Sequence, residues 1–319
     1  MMQVAVLDDY QGVALSCAQW DRLAGRADVT VFRDHLDDPD ALVRRLAGFD
    51  ALVVNRERTA LSRDILDRLP RLRFIATSGK RNASIDLVCA AERGVVVSGT
   101  QTLGYPTAEL TWALILAAFR RIPQEVADVR AGGWQVSVGR DLKGKTLAIA
   151  GLGRVGREVA RVALAFGMEV IAWSRSLTPE TAAEVGVRSV AKDALFAQAD
   201  VLSLHLGLNT GTRGIVGGAE LALMKPDALL VNTARGELVD EPALLEALDR
   251  GRLGGAALDV FAQEPLAADH PFRRRDDVLI TPHLGYVTEN NYRLTFGEVV
   301  ENIVAWIDGA PTRVIGAAA

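Results

Sequence analysis

Three side chains that together could move a proton beside an anionic group lie in the second half of the chain. Arg235, Glu264 and His283 each come within a few positions of the end of an apolar run of β-strand type. Ligands of open α/β sheets bind at the carboxyl ends of the strands, so we expect these three side chains to converge there. A cation to hold an anion, an imidazole to move a proton and a carboxylate to tune that imidazole are what hydride transfer at a 2-oxo or 2-hydroxy acid requires.

A glycine-rich turn points to a dinucleotide. The apolar run 146–150 leads into Gly151-Leu152-Gly153-Arg154-Val155-Gly156, and apolar residues then recur at helical spacing. A strand, G-x-G-x-x-G and a helix in this order form the dinucleotide-binding fingerprint, with the pyrophosphate at the helix N-terminus.

A second phosphate-type motif has the wrong surroundings. Residues 139–146 read Gly-Arg-Asp-Leu-Lys-Gly-Lys-Thr, which matches G-x-x-x-x-G-K-[ST] letter for letter. That phosphate loop needs a strand before it and a helix after it. Here a predicted strand follows it, so nucleoside triphosphate binding is not expected.

Composition narrows the class of protein. The 319 residues are 49% hydrophobic with a formal net charge of −4, which favours neither nucleic acid nor an anionic membrane surface as a partner. No apolar stretch is long enough to span a bilayer, and no signal segment opens the chain. With only Cys17 and Cys89, and no Cys/His cluster at metal spacing, we expect no disulfide framework, no metal and a cytoplasmic protein.

Predicted strands alternate along the chain with predicted helices, and these elements must position the residues named above. The alternation predicts parallel sheets covered on both faces. Predicted strands are 3–7, 29–32, 51–54, 74–77 and 95–97, followed by six in the second half at 146–150, 169–173, 201–204, 228–232, 256–260 and 278–281. Predicted helices lie near 16–24, 39–47, 62–69, 84–93, 107–121, 154–166 and 289–308, and 132–144 is predicted to be a connection.

The chain resembles the D-isomer-specific 2-hydroxyacid dehydrogenase family. The resemblance rests on GLGRVGREVARVALAFGMEV, LHLGLNTGTRGIV, MKPDALLVNTARGELVDEPALLEAL, GGAALDVFAQEP and TPHLGYVT, which cover most of residues 140–290. The first hundred residues match less closely. The resemblance implies an α/β fold of two doubly wound parallel-sheet domains. A Rossmann cofactor domain, 102–288, would be inserted into a flavodoxin-like substrate domain formed by 1–101 and 289–319.

The resemblance also implies roles for individual residues. His283 would be the acid/base, Glu264 would orient its ring, and Arg235 would hold the substrate carboxylate. Asp259 would meet the nicotinamide carboxamide, and backbone N–H groups near Ser78 and Gly79 would bind the substrate. The predicted cofactor-binding set is Gly151, Gly153, Arg154, Val155, Gly156, Ser174, Arg175, His205, Thr212, Thr233, Ala234, Asp259 and Gly285. The predicted substrate-binding set is Ser78, Gly79, Lys80 and Arg235. For His205, plain packing is as good an interpretation as a cofactor contact.

Two departures from the family pattern bear on specificity. The acidic residue expected about 20 positions after the glycine turn is replaced by Ser174-Arg175. A neutral hydroxyl and a cation favour the 2′-phosphate of NADP(H), whereas an Arg stacked on adenine would suit NAD(H). In the first domain, Lys80-Arg81 could serve a second anionic group of the substrate or form a solvated basic turn.

The sequence leaves two functions open. The first is reduction of a small 2-oxo acid or oxidation of a D-2-hydroxy acid of the glyoxylate, hydroxypyruvate or phosphoglycerate kind. The alternative is an NAD(P)-sensing, corepressor-like binding protein of the same fold. The resemblance also implies a homodimer formed through the region 107–121.

Overall fold

Short runs of Val, Ile, Leu and Ala form the strands of two parallel sheets in the computed structural model, which describes residues 1–316. The chain divides into two units. Unit 1 comprises Met1–Leu103 together with Val287–Ala319, and unit 2 is the continuous stretch Gly104–Tyr286.

Unit 1 contains a sheet of five parallel strands within the described part of the chain, in the order β2-β1-β3-β4-β5. The strands are β1 (Met2–Val6), β2 (Ala27–Val31), β3 (Ala51–Val54), β4 (Phe74–Thr77) and β5 (Val96–Ser98). The helices between them are α1 (Pro39–Leu46), α2 (Arg63–Asp67) and α3 (Leu87–Glu92). β3 and β4 are buried along their whole length, as expected for parallel strands covered on both faces.

The predicted helix at 16–24 is wrong. Two short 3₁₀ turns, Ala14–Ser16 and Trp20–Leu23, stand in its place. The indole Nε1 of Trp20 donates a 2.8 Å hydrogen bond to the carbonyl oxygen of Ala14. That carbonyl would be the acceptor for the next turn of a continuous helix, so the indole competes with helix propagation.

Unit 2 contains a larger sheet, which has seven parallel strands among the described residues. The strands are β6 (Thr146–Ala150), β7 (Glu169–Trp173), β8 (Arg188–Ser189), β9 (Val201–Leu204), β10 (Leu229–Asn232), β11 (Gly255–Leu258) and β12 (Val278–Ile280). The helices are α4 (Tyr105–Phe119), α5 (Ile122–Arg130), α6 (Arg154–Ala165), α7 (Pro179–Ala183), α8 (Lys192–Gln198), α9 (Gly218–Leu223) and α10 (Glu241–Asp249). The prediction of six strands here missed β8, a two-residue edge strand with little apolar signal.

The strand order of unit 2 is β12-β11-β10-β9-β6-β7-β8. From β6 the chain proceeds outward to β7 and β8, and it then returns to β9 on the other side of β6. This reversal is the topological switch point at which doubly wound sheets bind ligands. Apolar cores lie on both faces of the sheet and leave its carboxyl edge for loops.

The chain then returns to unit 1 through α11 (Glu289–Ile307). Trp306 of this helix stacks on Phe74 of β4, with ring centroids 4.9 Å apart. Among the described helices none is both long and apolar enough to cross a membrane. The motif at 139–146 runs directly into β6, so no helix N-terminus is available there to cradle a phosphate.

Candidate active site

The glycine turn joins β6 to α6, and two of its three glycines have a steric reason. Gly151 has φ +99°, and a Cβ there would lie 2.6 Å from the carbonyl oxygen of His205. A Cβ on Gly156 would lie 2.2 Å from the carbonyl oxygen of Gly151. At Gly153, the N-cap of α6, a Cβ would meet nothing within 4 Å. Space is therefore left at the N-terminus of α6, where a phosphate is favoured by free N–H groups and the helix dipole.

A cavity of about 370 Å³ opens beside this turn at the carboxyl ends of β6, β7 and β9. It is lined by Gly151, Leu152, Gly153, Trp173, Ser174, Arg175, Ser176, Leu177, Thr181, His205, Leu206, Gly207, Asn209, Thr212 and Ile215. None of these residues is an Asp or a Glu. The lining thus offers glycine backbone, hydroxyl groups and one guanidinium, which fits the phosphates and ribose of a dinucleotide.

The loop after β9 shapes one wall of the cavity. The Thr212 hydroxyl donates to the carbonyl oxygen of Gly207 at 2.7 Å and accepts the Asn209 N–H at 2.9 Å. Arg175 Nη2 donates to Asn209 Oδ1 at 3.3 Å, so the loop also touches the guanidinium. His205 Nε2 lies 2.9 Å from the Ser203 hydroxyl, and burial lowers the pKa of His205 to about 4. An uncharged imidazole therefore lines this wall at neutral pH.

Arg154 and Val155 occupy the first turn of α6. The Arg154 side chain passes close to Gly104 at the N-terminus of α4, where a Cβ would lie 2.6 Å from Arg154 Nε. Val155 packs against the apolar core of the sheet. The half-buried side chain of Val155 thus has a packing role, and its predicted cofactor contact stays a prediction.

His283 and Glu264 form a hydrogen-bonded pair. His283 Nδ1 lies 2.6 Å from Glu264 Oε2, while Glu264 Oε1 accepts the backbone N–H of Phe261 at 2.9 Å. His283 has φ +54°, an uncommon conformation for a residue other than glycine. Tyr286 meets the imidazole edge-on, with centroids 5.3 Å apart. The imidazole is thus held in one orientation.

Asp259 organises the turn that carries His283. This fully buried carboxylate accepts the Thr281 hydroxyl at 2.6 Å and the N–H groups of Leu284 at 2.7 Å and Gly285 at 2.8 Å. Burial raises the pKa of Asp259 despite these donors. These bonds hold the turn, and the cofactor contact that the sequence predicts for Asp259 stays a prediction.

The loop after β10 carries Thr233, Ala234 and Arg235. Asn232 closes it, because its Nδ2 donates to the carbonyl oxygen of Arg235 at 2.8 Å and its Oδ1 accepts the Ala234 N–H at 3.0 Å. At Gly236 a Cβ would lie 2.0 Å from the carbonyl carbon of Phe261. This close approach places the Arg235 loop directly against the loop that leads to Glu264.

Two residues of α4 belong to the site and were not predicted. The Thr107 hydroxyl donates to the carbonyl oxygen of Gly285 at 2.9 Å, and Thr111 Oγ1 lies 2.8 Å from Thr233 Oγ1. In the sequence, two threonines in an apolar helix look like ordinary core residues. Their spacing of four positions was the one available signal, because it puts both on the same side of the helix.

Ser78 and Gly79 lie in unit 1, where their N–H groups already have acceptors. Ser78 N–H donates to the carbonyl oxygen of Val54 at 3.1 Å, and Gly79 N–H donates to Thr100 Oγ1 at 3.0 Å. Lys80 is exposed. The Ser78 and Gly79 N–H groups thus have acceptors within unit 1, and binding of a substrate carboxylate by N–H groups near these two residues stays a prediction.

No cluster of metal-ligating side chains occurs within residues 1–316.

Residues 112–285, more than half of the chain, match the family model described as D-isomer specific 2-hydroxyacid dehydrogenase, NAD binding domain. The chain belongs to this family. Its matched region is accordingly a nicotinamide-cofactor domain of an oxidoreductase family.

Individual relatives agree with this assignment. A glyoxylate reductase of Aeropyrum pernix is 41% identical over 256 residues, which are 77% of this chain and 76% of that protein. A D-3-phosphoglycerate dehydrogenase of Methanocaldococcus jannaschii is 40% identical over 83% of this chain, which spans only 51% of that relative. The crystal structure of a phosphoglycerate oxidoreductase from Vibrio cholerae superposes with a TM-score of 0.92 at 41% identity, covering 97% of this chain and 100% of that one.

Proposed function

We propose that this protein interconverts a small 2-oxo acid and the corresponding D-2-hydroxy acid with NADP(H), or with NAD(H) as the less favoured cofactor. The observation that carries the proposal is the 2.6 Å bond between His283 Nδ1 and Glu264 Oε2. The pair lies at the sheet edge that also carries Arg235 and the glycine turn.

His283 is the proton donor and acceptor in this proposal. Its Nδ1 is engaged by Glu264, so Nε2 is the nitrogen that can exchange a proton with the carbonyl or hydroxyl oxygen of the substrate. The hydrogen bond to the Glu264 carboxylate fixes the direction in which Nε2 points. When bound, a nicotinamide cofactor supplies or takes up the hydride.

Arg235 holds the substrate carboxylate. A guanidinium presents a planar fork of donors that matches a carboxylate in two parallel hydrogen bonds. Arg235 Nη1 already donates to the carbonyl oxygen of Ala234 at 2.6 Å, which restricts the side chain on the side of its own loop. The same cation polarises the neighbouring substrate carbonyl.

Two features support NADP(H). Ser174 and Arg175 line the cavity where the ribose of a dinucleotide would lie, and its described lining lacks a carboxylate that would repel a 2′-phosphate.

In unit 1, Lys80 and Arg81 follow Ser78 and Gly79, whose N–H groups already have acceptors. Both side chains are exposed, and we propose that these two cations serve a second anionic group of the substrate.

We also propose that a second copy of this chain covers an exposed apolar face of unit 2. The face comprises Ile122, Val126 and Val129 of α5 and Trp134 and Val138 after it, of which Trp134 is 77% exposed. The large apolar side chains Trp112, Leu114, Ile115 and Phe119 of the predicted region 107–121 are buried within unit 2, whereas no residue of α5 is buried, so α5 is the better candidate.

The function is tested with a panel of 2-oxo acids, including glyoxylate, hydroxypyruvate and 3-phosphohydroxypyruvate, each with NADPH and with NADH. We expect turnover with at least one acid, and we expect His283→Ala to reduce kcat by at least about a hundredfold, the usual worth of a general acid. Binding of NADPH, followed by its fluorescence, should survive the substitution.

His270→Ala is the matched control. His270 Nε2 also lies 2.6 Å from a glutamate, Oε1 of Glu241, but the pair lies outside the proposed site. This variant should keep its activity. Saturable cofactor binding without turnover on any acid would instead favour a cofactor-sensing binding protein.

A further inference from the structure

Helix α4 is bonded to both loops that carry the proposed catalytic residues. Thr107 and Thr111 lie one turn apart on the same side of this helix. Thr107 Oγ1 donates to the carbonyl oxygen of Gly285, two residues after His283. Thr111, which is fully buried, bonds to Thr233, two residues before Arg235.

Valence decides the direction of the bond between Thr111 and Thr233. Thr111 Oγ1 also lies 2.7 Å from the carbonyl oxygen of Thr107. A carbonyl cannot donate, so the single hydroxyl proton of Thr111 points to it. Thr233 must then donate its own proton to Thr111. Only lone pairs of the Thr233 hydroxyl remain for a ligand.

The bond from Thr107 acts on a turn that is already constrained from the other side. The N–H of Gly285 donates to Asp259 Oδ2 at 2.8 Å, while its carbonyl oxygen accepts from Thr107. A Cβ at Gly285 would lie 3.2 Å from Asp259 and 3.4 Å from Thr107, so this position fits closely between the two side chains. Both polar groups of the Gly285 backbone are thereby fixed just after His283.

We propose that Thr107 and Thr111 are positioning residues. Thr107 holds the turn of His283, and Thr111 fixes the Thr233 hydroxyl as a pure acceptor for the N–H donors of a nicotinamide carboxamide. The second part rests on the proposed function. A carboxamide has two N–H donors, which an acceptor-only hydroxyl can bind and a hydroxyl with a freely rotating proton binds less well.

Two substitutions at Thr111 separate this role from packing. Thr111→Val keeps the shape and removes the hydroxyl, whereas Thr111→Ser keeps the hydroxyl and removes the methyl group. We expect kcat/KM for the 2-oxo acid to fall about tenfold in the valine variant, since small displacements at a reacting centre have effects of this size or larger. The serine variant should stay within about twofold of the wild type. A larger loss of kcat/KM in the serine variant than in the valine variant would mean that Thr111 only packs, and would overturn the proposal.

A binding comparison provides a readout apart from turnover. Thr111→Val should weaken NADPH about fivefold, the worth of one hydrogen bond, and leave the affinity for 2′-phospho-ADP-ribose unchanged because that ligand lacks the nicotinamide. If NADH is the preferred cofactor, NADH and ADP-ribose form the equivalent pair. Equal loss for both ligands, or no loss, would overturn the role of Thr111.

The binding comparison also separates this proposal from the proposed reaction. A wild-type protein without turnover would refute the reaction, while a selective loss of NADPH affinity would still support the acceptor role of Thr233. Should Thr111→Val fail to fold, Thr233→Val removes the same bond from its other end and should give the same selective loss. Thr233→Ser should restore binding, and failure of that rescue would contradict the proposal.

Discussion

At the scale of single residues, Arg175 is the side chain on which the proposed preference for NADP(H) rests. Its guanidinium lies at the cavity wall and donates to Asn209. Gly211 makes room for it, because a Cβ at that position would lie 2.5 Å from Arg175 Nη1. The charge of the Arg175 guanidinium and its position can therefore be changed by separate substitutions.

We expect Arg175→Ala to narrow the ratio of kcat/KM for NADPH over NADH by about tenfold or more, since it removes a charged hydrogen bond to the 2′-phosphate. Gly211→Ala should narrow the ratio less, because it displaces the guanidinium and keeps its charge. Arg188→Ala, which removes an equal charge from β8, is the control and should leave the ratio unchanged. A native preference for NADH would contradict the assignment.

At the scale of elements, the packing of α6 on its sheet depends on Gly156. A Cβ there would collide with the backbone of Gly151, and backbone cannot rotate aside as a side chain can. Gly156→Ala should destabilise the protein by about 1–3 kcal/mol, the usual cost of overpacking, as measured by urea unfolding. Gly153→Ala meets open space and should keep the stability while weakening NADPH binding. Equal stability loss in both variants would contradict this distinction.

The sequence predicts a helix or strand where the burial of that element leaves a clear pattern of apolar residues. The fully buried strands β9 and β10 have apolar runs, and both were predicted. Helix α5 was missed because Pro123 was interpreted as the stop of α4, whereas proline in the first turn also starts a helix. The bonds of Thr107 and Thr111 depend on which loops fold against α4, and no local pattern contains that information.

At the scale of the whole molecule, two histidines make stability depend on pH in opposite directions. Burial lowers the pKa of His205 from 6.5 to about 4, so the unfolded chain gains a proton first and stability falls as the pH drops from 6.5 toward 4. The hydrogen bond to Asp8 raises the pKa of His35 above 6.5, so its contribution is present below 6.5 and is lost as the pH rises through the raised pKa.

Urea unfolding at pH 5, 7 and 9 checks both signs. Relative to the wild type, His205→Gln should be less destabilising at pH 5 than at pH 7. His35→Gln should be more destabilising at pH 5 than at pH 9. A stability difference that is independent of pH in either variant would mean that the histidine does not titrate as described.

The return of the chain through α11 has a consequence for synthesis on the ribosome. Every residue of unit 2 is translated before α11. Strand β4 of unit 1 is made much earlier, and its Phe74 is covered by Trp306 only after α11 has been translated. Asn302 also binds the carbonyl oxygen of Gly99, just after the last strand of unit 1. Unit 2 can thus close its own core during translation. Unit 1 begins before unit 2 and is completed after it, so its nascent strands remain incompletely covered until α11 has been translated.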